Sequence, residues 1–186
     1  MTGVQTCALP ISSDLHLGHD RDFVWGARGF ESLEAMETAI VERFNSIVTD
    51  NDDVYLLGDS MLGDLEHSFS ILKQLNGKKH FIIGNHDTSN RIKKYAELTE
   101  FPILYADVIK YKKRQLYLSH YPTEVSNGPE CQVINLYGHT HQTHNFYEDR
   151  YYMYHVGMDS HDCYPIHIDT ILAEIGAKKQ ETKGEE

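Results

Sequence analysis

Lys79-His80-Phe81-Ile82-Ile83-Gly84-Asn85-His86-Asp87 is the stretch from which the fold can be read. Its first half is a short apolar run with a β-branched pair, which predicts a buried strand. Its second half opens on glycine and delivers an amide, an imidazole and a carboxylate at once. Such groups are costly to crowd at the mouth of a strand unless chemistry uses them. The same arrangement recurs elsewhere in the chain. Ile11-Ser12-Ser13 leads into Asp14-Leu15-His16-Leu17-Gly18-His19, and Val54-Tyr55-Leu56-Leu57 into Gly58-Asp59. Residues 115–118 lead into Ser119-His120, and residues 133–137 into Gly138-His139-Thr140-His141.

Between these strands the apolar period lengthens. Leu33, Met36, Ile40, Phe44 and Ile47 recur at three- and four-residue steps, one face of a helix capped near Ser32. Further helices are expected over residues 65–75, stopped by Asn76-Gly77, and over residues 89–98. Residues 108–111 and 115–118 read as a hairpin around Lys112-Lys113-Arg114, and residues 151–156 and 166–168 as closing strands. Strands alternating with helices predict an α/β layered domain whose strand ends carry function.

The chain has 186 residues, 40% of them hydrophobic and 24% charged, which fits one domain with a sizeable core. No apolar run approaches the roughly 18 residues of a membrane span. A net charge of −11 argues against binding a nucleic-acid duplex. It leaves room for a small phosphate substrate, because bound cations reverse the local field. Cys7, Cys131 and Cys163 form no paired motif, a usage that fits a reducing cytoplasm. Residues 1–11, MTGVQTCALPI, match no targeting signal and read as the translation of a sequencing-library adapter, a non-native leader. Pro10 lacks the N–H that a central strand needs, so the first strand is expected to be damaged there. The domain is expected over residues 12–176, with a solvated polar tail over 177–186.

Twelve histidines ask for a reason. The strand-end loops contribute Asp14, His16, Asp59, Asn85, His120, His139 and His141 as candidate metal ligands. Oxygen and imidazole donors without thiolate suit Mn²⁺ first, with Fe, Zn²⁺ or Ni²⁺ as alternatives. Seven ligands exceed one tetrahedral site and match two ions sharing a carboxylate. Asp14 and Asp59 alone cannot neutralise two divalent ions, so the cluster keeps positive charge for a phosphate.

The ordered set DLH, GD, GNHD, SH and GHTH, with VGMD and YPI near the end, resembles the calcineurin-like metallophosphoesterase superfamily in its small single-domain microbial and phage branch. The resemblance implies a β-sandwich flanked by helices and a two-metal phosphohydrolase acting on a phosphomonoester or phosphodiester. It implies one metal on Asp14, His16, Asp59 and His141, and the other on Asp59, Asn85, His120 and His139, with Asp59 bridging. A hydroxide held between the ions would attack phosphorus. His86 would act as general acid, its ring oriented by Asp87.

His19 is expected to contact the phosphate, and Arg28 to grip one of its oxygens. The other histidines read as packing or loop residues, and Tyr151, Tyr152 and Tyr154 as strand packing. Two rival functions remain: a nuclease on longer DNA or RNA, and a non-catalytic metal-binding interaction module. A protein serine/threonine phosphatase is disfavoured because Gly58-Asp59-Ser60-Met61 lacks the Asp-Arg-Gly continuation of that family. Partners are expected to be a small phosphate ester, without membrane.

Overall fold

The computed structural model describes residues 9–125, 133–148 and 150–184. Most of the expected leader, with Cys7 and Cys131, lies outside the described residues.

The strand β1 (Pro10–Ser12) is parallel to β2 (Asp53–Leu57), which is parallel to β3 (Lys78–Ile82). The helix α1 (Asp22–Trp25) and the helix α2 (Leu33–Ile47) connect β1 to β2, and α3 (Leu65–Leu72) connects β2 to β3. After α4 (Ser89–Ala96) the chain builds a second sheet from β4 (Ala106–Tyr111), β5 (Arg114–Ser119), β6 (Ile134–Tyr137), β7 (Phe146–Tyr147) and β8 (Arg150–His155). It then returns through β9 (Ile166–His167) to the free side of β1, and ends in α5 (Ile168–Gly184). The sheets run β3-β2-β1-β9 and β4-β5-β6-β8-β7.

Alternation along the strands divides the core. Val54, Leu56 and Phe81 face a cluster with Met36, Ile40 and Phe44 of α2 and Phe69 and Leu72 of α3. Tyr55, Leu57 and Ile82, one residue out of phase, pack with Leu116, Leu118 and Leu136 of the second sheet. The first sheet is therefore covered on both faces, which is why Val54-Tyr55-Leu56-Leu57 of its β2 reads as a continuous apolar run. The α/β sandwich flanked by helices is the expected architecture.

Pro10 stands at the first position of β1, opposite His167, and the ladder to β2 begins at Ile11, opposite Tyr55. There its missing N–H breaks no internal rung of that ladder. Ile11 is fully buried, so at least this last residue of the expected leader forms part of the core.

The region after β9 differs from expectation. Ile168, Ile171 and Ile175 bury one face of α5, and the polar stretch from residue 177 continues this helix to Gly184 instead of leaving it as a tail. Ala, Lys, Gln and Glu are good helix formers, and the anchored first turns let them extend it.

The parallel strands bring the motifs together. β1, β2, β3, β5 and β6 release their loops at their C-terminal ends, the usual ligand-binding edge of parallel strands. The sheets meet at this edge, where the Met158 amide donates to the Ser13 carbonyl (3.1 Å).

Candidate metal centre

Five of the seven expected ligands have left-handed backbone: Asp14 (φ 55°), His16 (φ 55°), Asp59 (φ 51°), His139 (φ 68°) and His141 (φ 49°). Non-glycine residues rarely adopt this conformation, and at functional sites it re-aims a side chain. Here it turns each one as the chain leaves its strand.

Asp14 is fully buried. Its Oδ2 accepts from the Ser13 hydroxyl (2.7 Å) and the His139 amide (2.8 Å). Its Oδ1 and the His16 Nε2 are both buried without a hydrogen-bond partner among the described residues. These two atoms lie 3.9 Å apart, and His141 Nε2 lies 4.0 Å from the same Asp14 oxygen. That is too long for hydrogen bonds. It fits three donors around one cation, since ligand bonds of about 2.0–2.2 Å put neighbouring donors roughly 3–4 Å apart. A second group, Asp14, Asp59 and His120, also has ligand atoms within 4.8 Å of one another. His120 Nε2 is 3.4 Å from Asp59 Oδ2 and 2.7 Å from the Asn85 amide oxygen. The two groups overlap at Asp14, whereas the resemblance gives the bridging role to Asp59.

His139 joins through its backbone and its ring. The ring lies 5.0 Å from that of His120 and 4.5 Å from that of Tyr121, centroid to centroid, and it falls outside both groups.

The tautomers suit ligation. The Leu57 carbonyl accepts His120 Nδ1–H (2.9 Å), which aims Nε2 at the cluster, where a bound cation would take the place of its proton. His141 Nδ1–H donates to Asp159 Oδ2 (2.9 Å) with the same result. Burial drives His16 down to about 2, helped by Arg28 and His141, so its ring is neutral and free to ligate. Burial pushes the Asp14 carboxyl up, against the pull of His120, His141 and Ser13. Burial also opposes ionisation of Asp59, but its hydrogen bond to His120 prevails and holds it low. Burial opposes the charged form of His120, but Asp59 and Asp14 raise it, and the hydrogen bond to Asp159 raises His141. Buried carboxylates that draw positive charge onto their imidazoles, with Asp14 Oδ1 and His16 Nε2 unpartnered among the described residues, form a site that a cation completes, so the residues present fit divalent metal.

Two expected roles change. Arg28 was expected to reach a phosphate. Its guanidinium is instead buried, bonding Asp159 through Nε (3.0 Å) and Nη2 (3.2 Å), the Asp14 carbonyl through Nη2 (2.7 Å) and the Leu15 carbonyl through Nη1 (3.1 Å). It clamps the first motif loop to the carboxylate that orients His141. Asp87 was expected to orient the His86 ring. Its Oδ2 accepts the Gly84 amide (2.8 Å) and the Asp59 amide (3.1 Å), and its Oδ1 the Tyr95 hydroxyl (2.6 Å). It ties two motif loops together, and burial raises its carboxyl.

His86 is exposed at the cluster, its ring 6.4 Å from that of His16, and its amide donates to Asp59 Oδ1 (2.9 Å). His19 sits with Nδ1 3.3 Å from His16 Nδ1. Both line the cleft that opens on the cluster. His161, flanked by Asp159 and Asp162, donates to the His155 carbonyl (2.9 Å) and stacks on Tyr154, a structural role as expected. Sequence reasoning missed Asp159, whose only signal was its place in VGMD, and Tyr95, which carried none.

Carboxylates and imidazoles converging at the C-terminal ends of parallel strands form a candidate divalent-metal site. The chain belongs to the calcineurin-like phosphoesterase family, whose model matches residues 11–182, and it is a metal-dependent phosphoester hydrolase. An uncharacterised protein of Methanocaldococcus jannaschii is 31% identical over 134 residues, 71% of this chain and 68% of that one. The gene 66 protein of Mycobacterium phage L5 is 31% identical over 80 residues, 41% of this chain and 38% of that one. A protein of unknown function from Aquifex aeolicus shares the fold, with a TM-score of 0.67 over 89% of this chain and 98% of that one, at 20% identity. No helix among the described residues is long and apolar enough to cross a membrane.

Proposed function

We propose that the chain is a two-metal phosphohydrolase acting on a small phosphomonoester or phosphodiester in the cytoplasm, with Mn²⁺ as the preferred ion. The observation that carries this reading is the pair of overlapping ligand groups on Asp14, built by strand ends that all release their loops on one edge. One ion would be held by Asp14, His16, Asp59 and His141, the other by Asp59, Asn85, His120 and His139. When bound, such ions supply a water of lowered pKa and neutralise charge on the phosphoryl oxygens.

The chain's own residues do the rest. His120 and His141 present Nε2 because a carbonyl and a carboxylate hold their Nδ1–H. Asp87 fixes the loops of Asp59 and Gly84, so the second ligand set keeps its spacing. His86, free at the cleft, gives a proton to the departing oxygen, and His19 contacts the phosphate. None of the residues lining the cleft is Lys or Arg, which speaks against a nuclease on long strands. All seven ligands are present, which speaks against a module that has lost its chemistry.

Replacing one ligand and one acid separates the roles. Asp59→Asn should lower metal content, read by elemental analysis, and abolish turnover. Two tightly held ions in an active variant would refute the assignment. His86→Ala should keep both ions and lower kcat about 10²–10⁴-fold for alkyl phosphates, but less for nitrophenyl phosphate, whose anion leaves unaided. Equal losses on both would make His86 a positioning residue.

A further inference from the structure

The cleft that opens on the metal cluster has a volume of about 660 Å³, within the range of small-molecule sites. Its polar lining is the expected machinery, His16 and His141 with His19 and His86, together with the Asp159 carboxylate. Its apolar lining is Phe23, Val24, Ala27 and Leu62. Phe23 is the anomaly. It is 68% exposed, on the short α1, with its ring in an edge contact 5.8 Å from that of His19. A large aromatic held in water beside a reaction site lacks a packing reason and offers an apolar face to whatever enters.

The charge pattern narrows the occupant. The two guanidiniums bonded to lining residues are already engaged. Arg28 holds Asp159 and the first motif loop, and Arg91 holds the Leu62 and His86 carbonyls. With no lysine or arginine in the lining, a second phosphate or a carboxylate would enter without a cation to meet it. We propose that this cleft is the subsite for the organic part of the substrate and takes an uncharged, planar or aromatic group, so that the preferred substrate is an aryl- or arylalkyl-type phosphoester with a single phosphoryl group. This rests on the phosphohydrolase reading and narrows it. The ring lies against Phe23, Val24, Ala27 and Leu62 while the phosphoryl group reaches the cluster.

Benzyl phosphate and methyl phosphate test this with the Mn²⁺-loaded protein, since their alcohols are of similar acidity and the chemistry of departure is matched. Half-burying a phenyl ring predicts a preference for the benzyl ester of about 10–100-fold in kcat/KM, carried mainly by KM. Phe23→Ala should shrink that preference to about threefold, and Phe23→Trp should keep it. Equal handling of the two esters by the native chain, or a preference that survives Phe23→Ala, would overturn the subsite. If neither ester is cleaved, the monoesterase half of the phosphohydrolase reading fails by itself. Calorimetric binding of benzylphosphonate and methylphosphonate then decides the subsite, with tighter benzyl binding lost in Phe23→Ala supporting it and equal binding overturning it.

Discussion

Gly84 and Gly138 each leave a space that another motif fills. A Cβ on Gly84 would collide with the Asp59 carboxylate, and one on Gly138 with the Asp14 carboxylate and the Ser13 hydroxyl. The glycine that precedes a ligand in the sequence therefore makes room for a ligand of a different loop, which is why the motifs read GNHD and GHTH. The candidate ligand positions were legible because each follows the end of its own strand by one to four residues. The roles of Arg28 and Asp87 were not, because their partners are set by the fold: Arg28 and Asp159 are 131 positions apart. At this scale the Asp159 contact predicts a loss of metal affinity. Asp159→Asn keeps an oxygen but removes the charge that holds both Arg28 and His141. It should weaken Mn²⁺ binding about 10–100-fold by calorimetry, with the circular dichroism spectrum kept. Unchanged affinity would show that His141 orients without it.

Among the elements, α2 shows both what the pattern carried and what it hid. The five apolar positions and the Ser32 cap, whose hydroxyl accepts the Ala35 amide (3.1 Å), are where the period puts them. Glu37 stands on the apolar face of that period, four residues after Leu33 and three before Ile40, and it is buried despite its charge. Its carboxylate accepts the Gly18 amide (2.7 Å) and meets His67 Nε2 of α3 (2.8 Å). The helix thereby anchors the loop that carries His16. Glu37→Leu leaves the Gly18 N–H buried and unpaired and should cost about 2–3 kcal/mol in urea unfolding, most of it restored by Glu37→Gln. A cost below about 0.5 kcal/mol would mean the loop is held elsewhere. The short elements α1 and β7 had too few residues for any period to register. The far end of α5 was hidden by a composition that reads equally as tail or helix.

Across the whole molecule, acid should weaken the fold through an imidazole outside the expected ligand set. His155 is fully buried where β8 ends, bonded to the Ser160 hydroxyl (2.8 Å). Burial, helped by His161, pushes it down to about 3, so it is neutral in the folded chain at any ordinary pH. Unfolded, it takes a proton near 6.5, so the unfolded state binds more protons below that value and stability falls as pH falls from there towards 3. Between pH 7 and pH 5 the loss from this residue is about 2 kcal/mol. Unfolding free energies of the native chain and of His155→Gln, read from urea titrations, should therefore converge by that amount as pH is lowered from 7 to 5. A constant gap would show that the ring stays accessible to protons when folded.

The left-handed turns at the strand ends carry a consequence for selection. His139 and His141 hold a conformation that suits glycine or asparagine better than histidine, so foldability and function pull these positions apart. In a library screened for soluble abundance alone, both should drift towards glycine and asparagine. Under a screen for metal-dependent turnover both should return to histidine, and a library that kept histidine under the first screen would show that the site costs the fold nothing.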